Sequence, residues 1–435
     1  GMTLGGDATA LSLDVEGEAW IAPLGDIELR VTQLTSGPGP VVINGSSAQV
    51  RLGGVSTVGG DLYVGAHDIY VDKSITGTAD GSASAGQIAL EAADDITIAD
   101  GADIDAGIGY IDLEAGDVLR IAGLKSSQSG VATIALRAKT LTPGDGIVSA
   151  ANGQLIVDAS NVGTAANPLQ FEAERAHLTF GQGPAYLRSL GPVEVQALNG
   201  MTGHYDLVSL GDIYFAGPVS VDRDATVIAT SVNGDITADS RAPVSLSGNV
   251  FLTAITGTIQ GRDDSTPFTL KPSSDLAMLN LAAFGEIDFH SEDDVAMDYA
   301  VSQEGPVSIQ VDGELDLALA GTQQGLTLNV DSLRNTPQHG SDDALDTTPT
   351  SAAPVQNPEI YPLFNVFGPD GDGGDTGGGD TGGGDTGGGD TGGGDTGGGD
   401  TGGGDTGGGD TGGGDTGGGD TGGGDTGGGD TGGGD

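Results

Sequence analysis

The sequence predicts an all-β chain: a right-handed parallel β-helix (β-solenoid) over residues 1–334, followed by a Pro-rich linker and a Gly/Asp/Thr-rich tail. Three observations predict it. Short stretches of period-two alternation recur, each broken by Gly, Asp, Asn or Ser, as in strands with one side chain in and the next out. Aromatic residues make up only 4% of the chain, whereas sandwich and barrel cores lean on large rings and a thin solenoid core is filled by stacked aliphatics. Strand-bearing units also persist for roughly 300 residues without a domain break, as stacked repeats do.

Taken in order, the clearest strand signals are residues 26–31 (DIELRV), 87–91 (QIALE), 95–98 (DITI), 110–114 (YIDLE) and 117–121 (DVLRI). Later ones are 155–157, 193–195, 212–215, 250–252, 307–311 and 326–330. A cue recurs at strand starts: glycine, an acid, then an aliphatic. It occurs at Gly25-Asp26-Ile27, Gly60-Asp61-Leu62, Gly116-Asp117-Val118, Gly211-Asp212-Ile213, Gly234-Asp235-Ile236, Gly285-Glu286-Ile287 and Gly313-Glu314-Leu315. The glycine is read as supplying a turn conformation that other residues resist. The acid stays in water and the aliphatic begins the inward row. Coils of about 20–25 residues stacked at ~4.8 Å would number roughly 13–16 and span about 60–80 Å. Residues 273–284 are the one stretch where helix competes with strand.

From residue 335 the texture changes. Pro337, Pro349, Pro354, Pro358, Pro362 and Pro369 punctuate a polar linker over 335–374. Within it, residues 360–367 (IYPLFNVF) form an apolar island, read either as a cap on the last coil or as plain linker. Residues 375–435 repeat Asp-Thr-Gly-Gly-Gly and offer nothing apolar to bury, so the tail is expected to be disordered.

Formal net charge is −49. The stretch from Pro369 onward carries 15 aspartates and no base, and removing those 15 from −49 leaves −34 on residues 1–368. Nucleic acid and anionic membrane are therefore disfavoured as partners. There is no cysteine, which removes disulfides, thiol catalysis and zinc–thiolate sites together. No apolar run is long enough to span a membrane as a helix. The opening residues lack a basic and an apolar segment, which reads as the start of an internal piece of a longer protein.

Stretches such as residues 232–239 (VNGDITAD) and 94–101 (DDITIADG) resemble the central repeats of filamentous haemagglutinin-like exoproteins, the large adhesins of two-partner secretion. The resemblance covers roughly residues 5–334. It implies a right-handed parallel β-helix at the bacterial surface, outside the outer membrane. It also implies an outer-membrane secretion partner and a structural or adhesive, non-catalytic role toward a glycan or protein of a host or neighbouring cell. One departure stands out. The Asn-Pro-Asn motif of the family's secretion domain is missing, since Asn167-Pro168 and Asn357-Pro358 are followed by Leu and Glu.

Paired carboxylates can serve as glycosidase acids or calcium ligands, and the candidates are Asp94-Asp95, Asp263-Asp264, Asp293-Asp294, and Asp222 with Asp224 around Arg223. Solenoid polysaccharide lyases and hydrolases group acids with a base on one face, which makes Asp222, Arg223 and Asp224 the best catalytic candidates. Among so many acids, solvated surface pairs are the ordinary expectation. Asp370, Asp372 and Asp375 are the densest candidate calcium ligands, although no cofactor is required and an EF-hand's closing glutamate is absent. The histidines are scattered without metal-ligand spacing. No nucleophile elbow or P-loop occurs, and Leu13-Asp14-Val15 matches a short integrin-binding tripeptide that is common by chance.

Overall fold

A computed structural model describes residues 2–4, 8–58, 60–78, 86–126, 133–239, 243–263, 266–322 and 324–334. These contain 31 strands and no helix, so no helix among them is long and apolar enough to cross a membrane. The strands form one parallel β-solenoid of about 14 turns. The chain divides into two units, residues 1–364 and 365–435, and every described residue belongs to the first. The linker (335–374), its apolar island (360–367) and the tail (375–435) lie outside the described residues.

Period-two alternation places every second side chain inside, and parallel pairing then stacks like on like. Ile21, Ile43, Val64, Leu90, Leu113, Leu136, Val157 and Leu178 stand one above the next. A second inward row runs Leu29, Val50, Ile69, Ile96, Leu119, Leu141 and Val162. All of these are buried. Each buried aliphatic contributes about 1.5–3 kcal/mol, and β-branched residues suit the pleated surface. The rise along a row varies from 18 residues, Leu169 to Leu187, to 29, Leu252 to Leu281.

The cues mark two different corners of the coil. Asp61, Asp212 and Asp235 precede the strands Leu62–Val71, Ile213–Phe215 and Ile236–Ala238, whereas Asp117 precedes Val118–Ile121 on the next face. This, with the variable coil length, explains their irregular spacing. The turn-conformation reading of the glycines needs correction. Of the seven cue glycines only Gly25 has a positive φ, at 79°. The others are glycine because the coils approach closely at the corner. A Cβ on Gly60 would collide with the Gly39 carbonyl oxygen, one on Gly116 with that of Ala93, and one on Gly234 with the Asp212 carboxylate. Gly86 and Gly109 extend the column, each stacked on the carbonyl of the glycine one coil back.

Toward the C-terminus the inward row Phe171, Ser189, Ser209, Ser231, Ala254, Ala283, Ser302 turns polar at the corner. Its hydroxyls are buried and donate to glycine carbonyls: Ser209 to Gly191 at 2.8 Å, Ser231 to Gly211 at 2.9 Å and Ser302 to Gly285 at 2.6 Å. Burial is tolerated because each hydroxyl is satisfied. The few large rings gather in the core, with Phe268 between Phe215 and Phe289 at 6.4 Å from each. Residues 273–283 belong to the strand Phe268–Ala283, where Leu279, Leu281 and Ala283 pair with Val250, Leu252 and Ala254. The ladder's open N–H and C=O groups outweigh local helix propensity there.

Candidate functional site

Among the described residues, two overlapping groups of metal-type side chains lie on one corner of three successive coils. Together they join His67 and Asp68 to Asp94 and Asp95, and these to Asp117. Ligand-type atoms of His67, Asp68 and Asp94 lie within 4.8 Å of one another, as do those of Asp94, Asp95 and Asp117. The local reason is the coil corner itself. After an inward residue the chain must turn, and short polar residues that tolerate turns collect there.

Two lines of hydrogen bonds descend this corner. In one, backbone carbonyls of His67 and Asp94 accept the amides of Asp94 and Asp117, each at 2.9 Å, and Asp117 accepts those of Lys139 and Thr140. In the other, carboxylates do the work. Asp68 accepts from the Gln49 side chain at 3.0 Å and lies 3.4 Å from the Asp95 amide, and Asp95 accepts the Val118 amide at 3.0 Å. Asp68 is buried while His67 and Asp94 are exposed. Tyr70, nearby on the next face, has its phenol pushed above its ordinary range. Burial is the main cause, followed by the charges of Asp68 and Asp95, with Arg51 opposing. Arg51 sits 4.8 Å from the centre of the Tyr70 ring and forks onto Asp72 at 3.0 and 2.6 Å. Chemically the corner is a set of hard oxygen donors with one imidazole, of the type that suits a divalent cation. Several of those oxygens already hold the neighbouring coil.

The same use of carboxylates recurs at the strand cues. Asp61 accepts the Gln87 amide, Asp212 that of Asp235, and Asp235 both the amide and the hydroxyl of Thr258. These three cue acids, expected simply to sit in water, thus cap the coil that follows. Asp294 does likewise for Glu314, and Asp293 accepts the Asp294 amide.

The triplet Asp222, Arg223, Asp224 lies in an exposed turn. Asp222 accepts from the Thr202 hydroxyl at 3.0 Å, while Arg223 donates to the Ser274 and Leu276 carbonyls at 3.2 and 3.4 Å. Arg223 is thereby engaged in bracing an extended part of the strand Phe268–Ala283. Asp263 is exposed; its partner in sequence, Asp264, and the candidates Asp370, Asp372 and Asp375 lie outside the described residues. His67 and Asp68 were not paired with Asp94 and Asp95 from sequence. The signal available was coil length, because 27 residues separate Asp68 from Asp95, but unequal coils hide that register. No family model, curated protein or solved structure matches this chain.

Proposed function

We propose that this chain is a structural and adhesive segment of a secreted or cell-surface bacterial exoprotein, non-catalytic, presenting a glycan- or protein-binding surface to a host or neighbouring cell. The observation that carries this reading is how the acids are used. Carboxylates at the cues and at the corner accept amides of the next coil, which is the chemistry of a scaffold. The best catalytic candidates point to separate partners. The filamentous haemagglutinin resemblance supports the extracellular placement and an outer-membrane secretion partner. Incubating the full chain with glycan and extracellular-matrix arrays and with acidic polysaccharides tests the reading. Saturable binding without turnover is expected. Turnover lost in Asp222→Ala or Asp224→Ala would replace it with a carbohydrate-active enzyme.

A second reading, a calcium-responsive surface segment, draws on the corner of His67, Asp68, Asp94, Asp95 and Asp117. Calorimetric titration of the full chain with calcium decides it: saturable heat lost in Asp94→Asn supports it, and no saturable heat removes it.

A further inference from the structure

One outer face of the C-terminal half carries a band of apolar side chains among Asp206, Thr230, Thr253 and Asn280, in a chain of net charge −49. On its strands the row Leu207, Ala229, Leu252, Leu281, Ala300 points inward and is buried in the core. The adjacent row Val208, Thr230, Thr253, Ala282, Val301 therefore points outward, as do Ile228 and Phe251. At the following corner stand Val232 and Ile255, tied in the same register by amides donating to Ser209 and Ser231.

Several of these positions are not solvated as outer residues of an acidic solenoid should be, although Val208, Ile228, Phe251 and Thr253 are half-exposed. Val301 is 0% exposed, Ala282 2%, Val232 3% and Ile255 8%, yet none belongs to the core cluster. Beside Phe251 in register is Asn280, also 0% exposed. Its Oδ1 accepts the amides of Asp298 and Tyr299, whereas its buried Nδ2 has no partner. An unpaired buried donor costs about 1–3 kcal/mol, so a nearby acceptor is called for.

We infer that residues 360–364 (IYPLF) dock on this outer face as a segment of the same chain. Within residues 335–435 this is the start of the densest apolar stretch, and it carries no charge. The described chain stops at Arg334, in a strand paired with Val307–Gly321, which in turn pairs with the strand bearing Val301. Residues 335–359 reach up to about 80 Å when extended, against roughly 25 Å for the five coils of the patch. A second copy is the poorer occupant, because two chains of this charge repel.

With no cysteine in the chain, one introduced pair reports without ambiguity. In the full chain, Leu363→Cys with Thr253→Cys is expected to form an intramolecular disulfide under mild oxidation. It should form at least about tenfold faster than Leu363→Cys with Thr97→Cys, because docking raises the local concentration. Equal rates, faster linkage of Leu363→Cys to Val330→Cys on the last coil, or chiefly intermolecular linkage would each overturn the inference. The double substitution Leu363→Asp with Phe364→Asp lies outside the solenoid and gives an independent check. Binding of an apolar-surface dye is expected to rise several-fold with the β-sheet circular dichroism retained; unchanged dye binding counts against docking.

Discussion

The carboxylate of Asp235 accepts the backbone amide of Thr258 at 2.7 Å, across 23 residues of sequence and one coil of structure, and takes the Thr258 hydroxyl at 3.0 Å as well. A residue that begins one strand thus holds the corner before the next.

Removing that acceptor should be costly. Asp235→Ala is expected to lower stability by about 1–2 kcal/mol, since it strands a partly buried amide and a hydroxyl that a charged acceptor had satisfied. Asp235→Asn keeps an acceptor oxygen and should lose less than half as much. Asp224→Ala, on an exposed turn, should change stability by less than about 0.5 kcal/mol. Midpoints of chemical unfolding compare all three.

The glycine column makes a second prediction. A Cβ on Gly86 would collide with the Gly60 carbonyl, whereas one on Gly191 meets nothing within 4 Å and neither position has a positive φ. Gly86→Ala should therefore destabilise by about 3 kcal/mol or more, because backbone must shift. Gly191→Ala should be neutral or stabilise by up to about 1 kcal/mol through the unfolded chain. Paired thermal melts distinguish the two.

Asp206 supplies a pH dependence. Burial raises its carboxyl pKa, partly opposed by His204. Between its unfolded and folded values the native state binds more protons, so stability falls as pH rises through that interval. The penalty is complete above the folded value and absent below the unfolded value. Asp206→Asn is thus expected to stabilise at pH 7, with the gain vanishing in the acid range. Melting temperatures of both proteins across the acid range check the sign.

The corner of stacked acids predicts a salt response. Asp94, Asp95 and Asp117 crowd within 4.8 Å, and screening shortens to a few ångströms at about 1 M salt. Asp94→Asn should raise the melting temperature at low ionic strength, and the gain should shrink as sodium chloride increases. A gain independent of salt would contradict repulsion as its cause.

Much of the fold was legible in particular residues. Every stretch read as a strand, from 26–31 to 326–330, overlaps one in the structure, because alternation reports directly which side chains can be buried. Residues 273–284 were ambiguous, since Leu276, Met278, Leu279 and Leu281 satisfy both periods. Pairing with Val250 and Leu252 resolved them as strand. The cue glycines were found for the wrong reason: the sequence records that a Cβ is excluded, and only the neighbouring coil reveals what excludes it.

By itself, then, the sequence determined the class of fold, the inward rows and the corner positions, because burial and turning are local demands written in residue type. Tertiary structure alone decided which residues meet across coils: Asp68 beneath Asp95, Ser209 beneath Ser231, Val301 beside Ala282. With coils of 18 to 29 residues, no fixed period carries that information. The register is set by how each coil packs on the last.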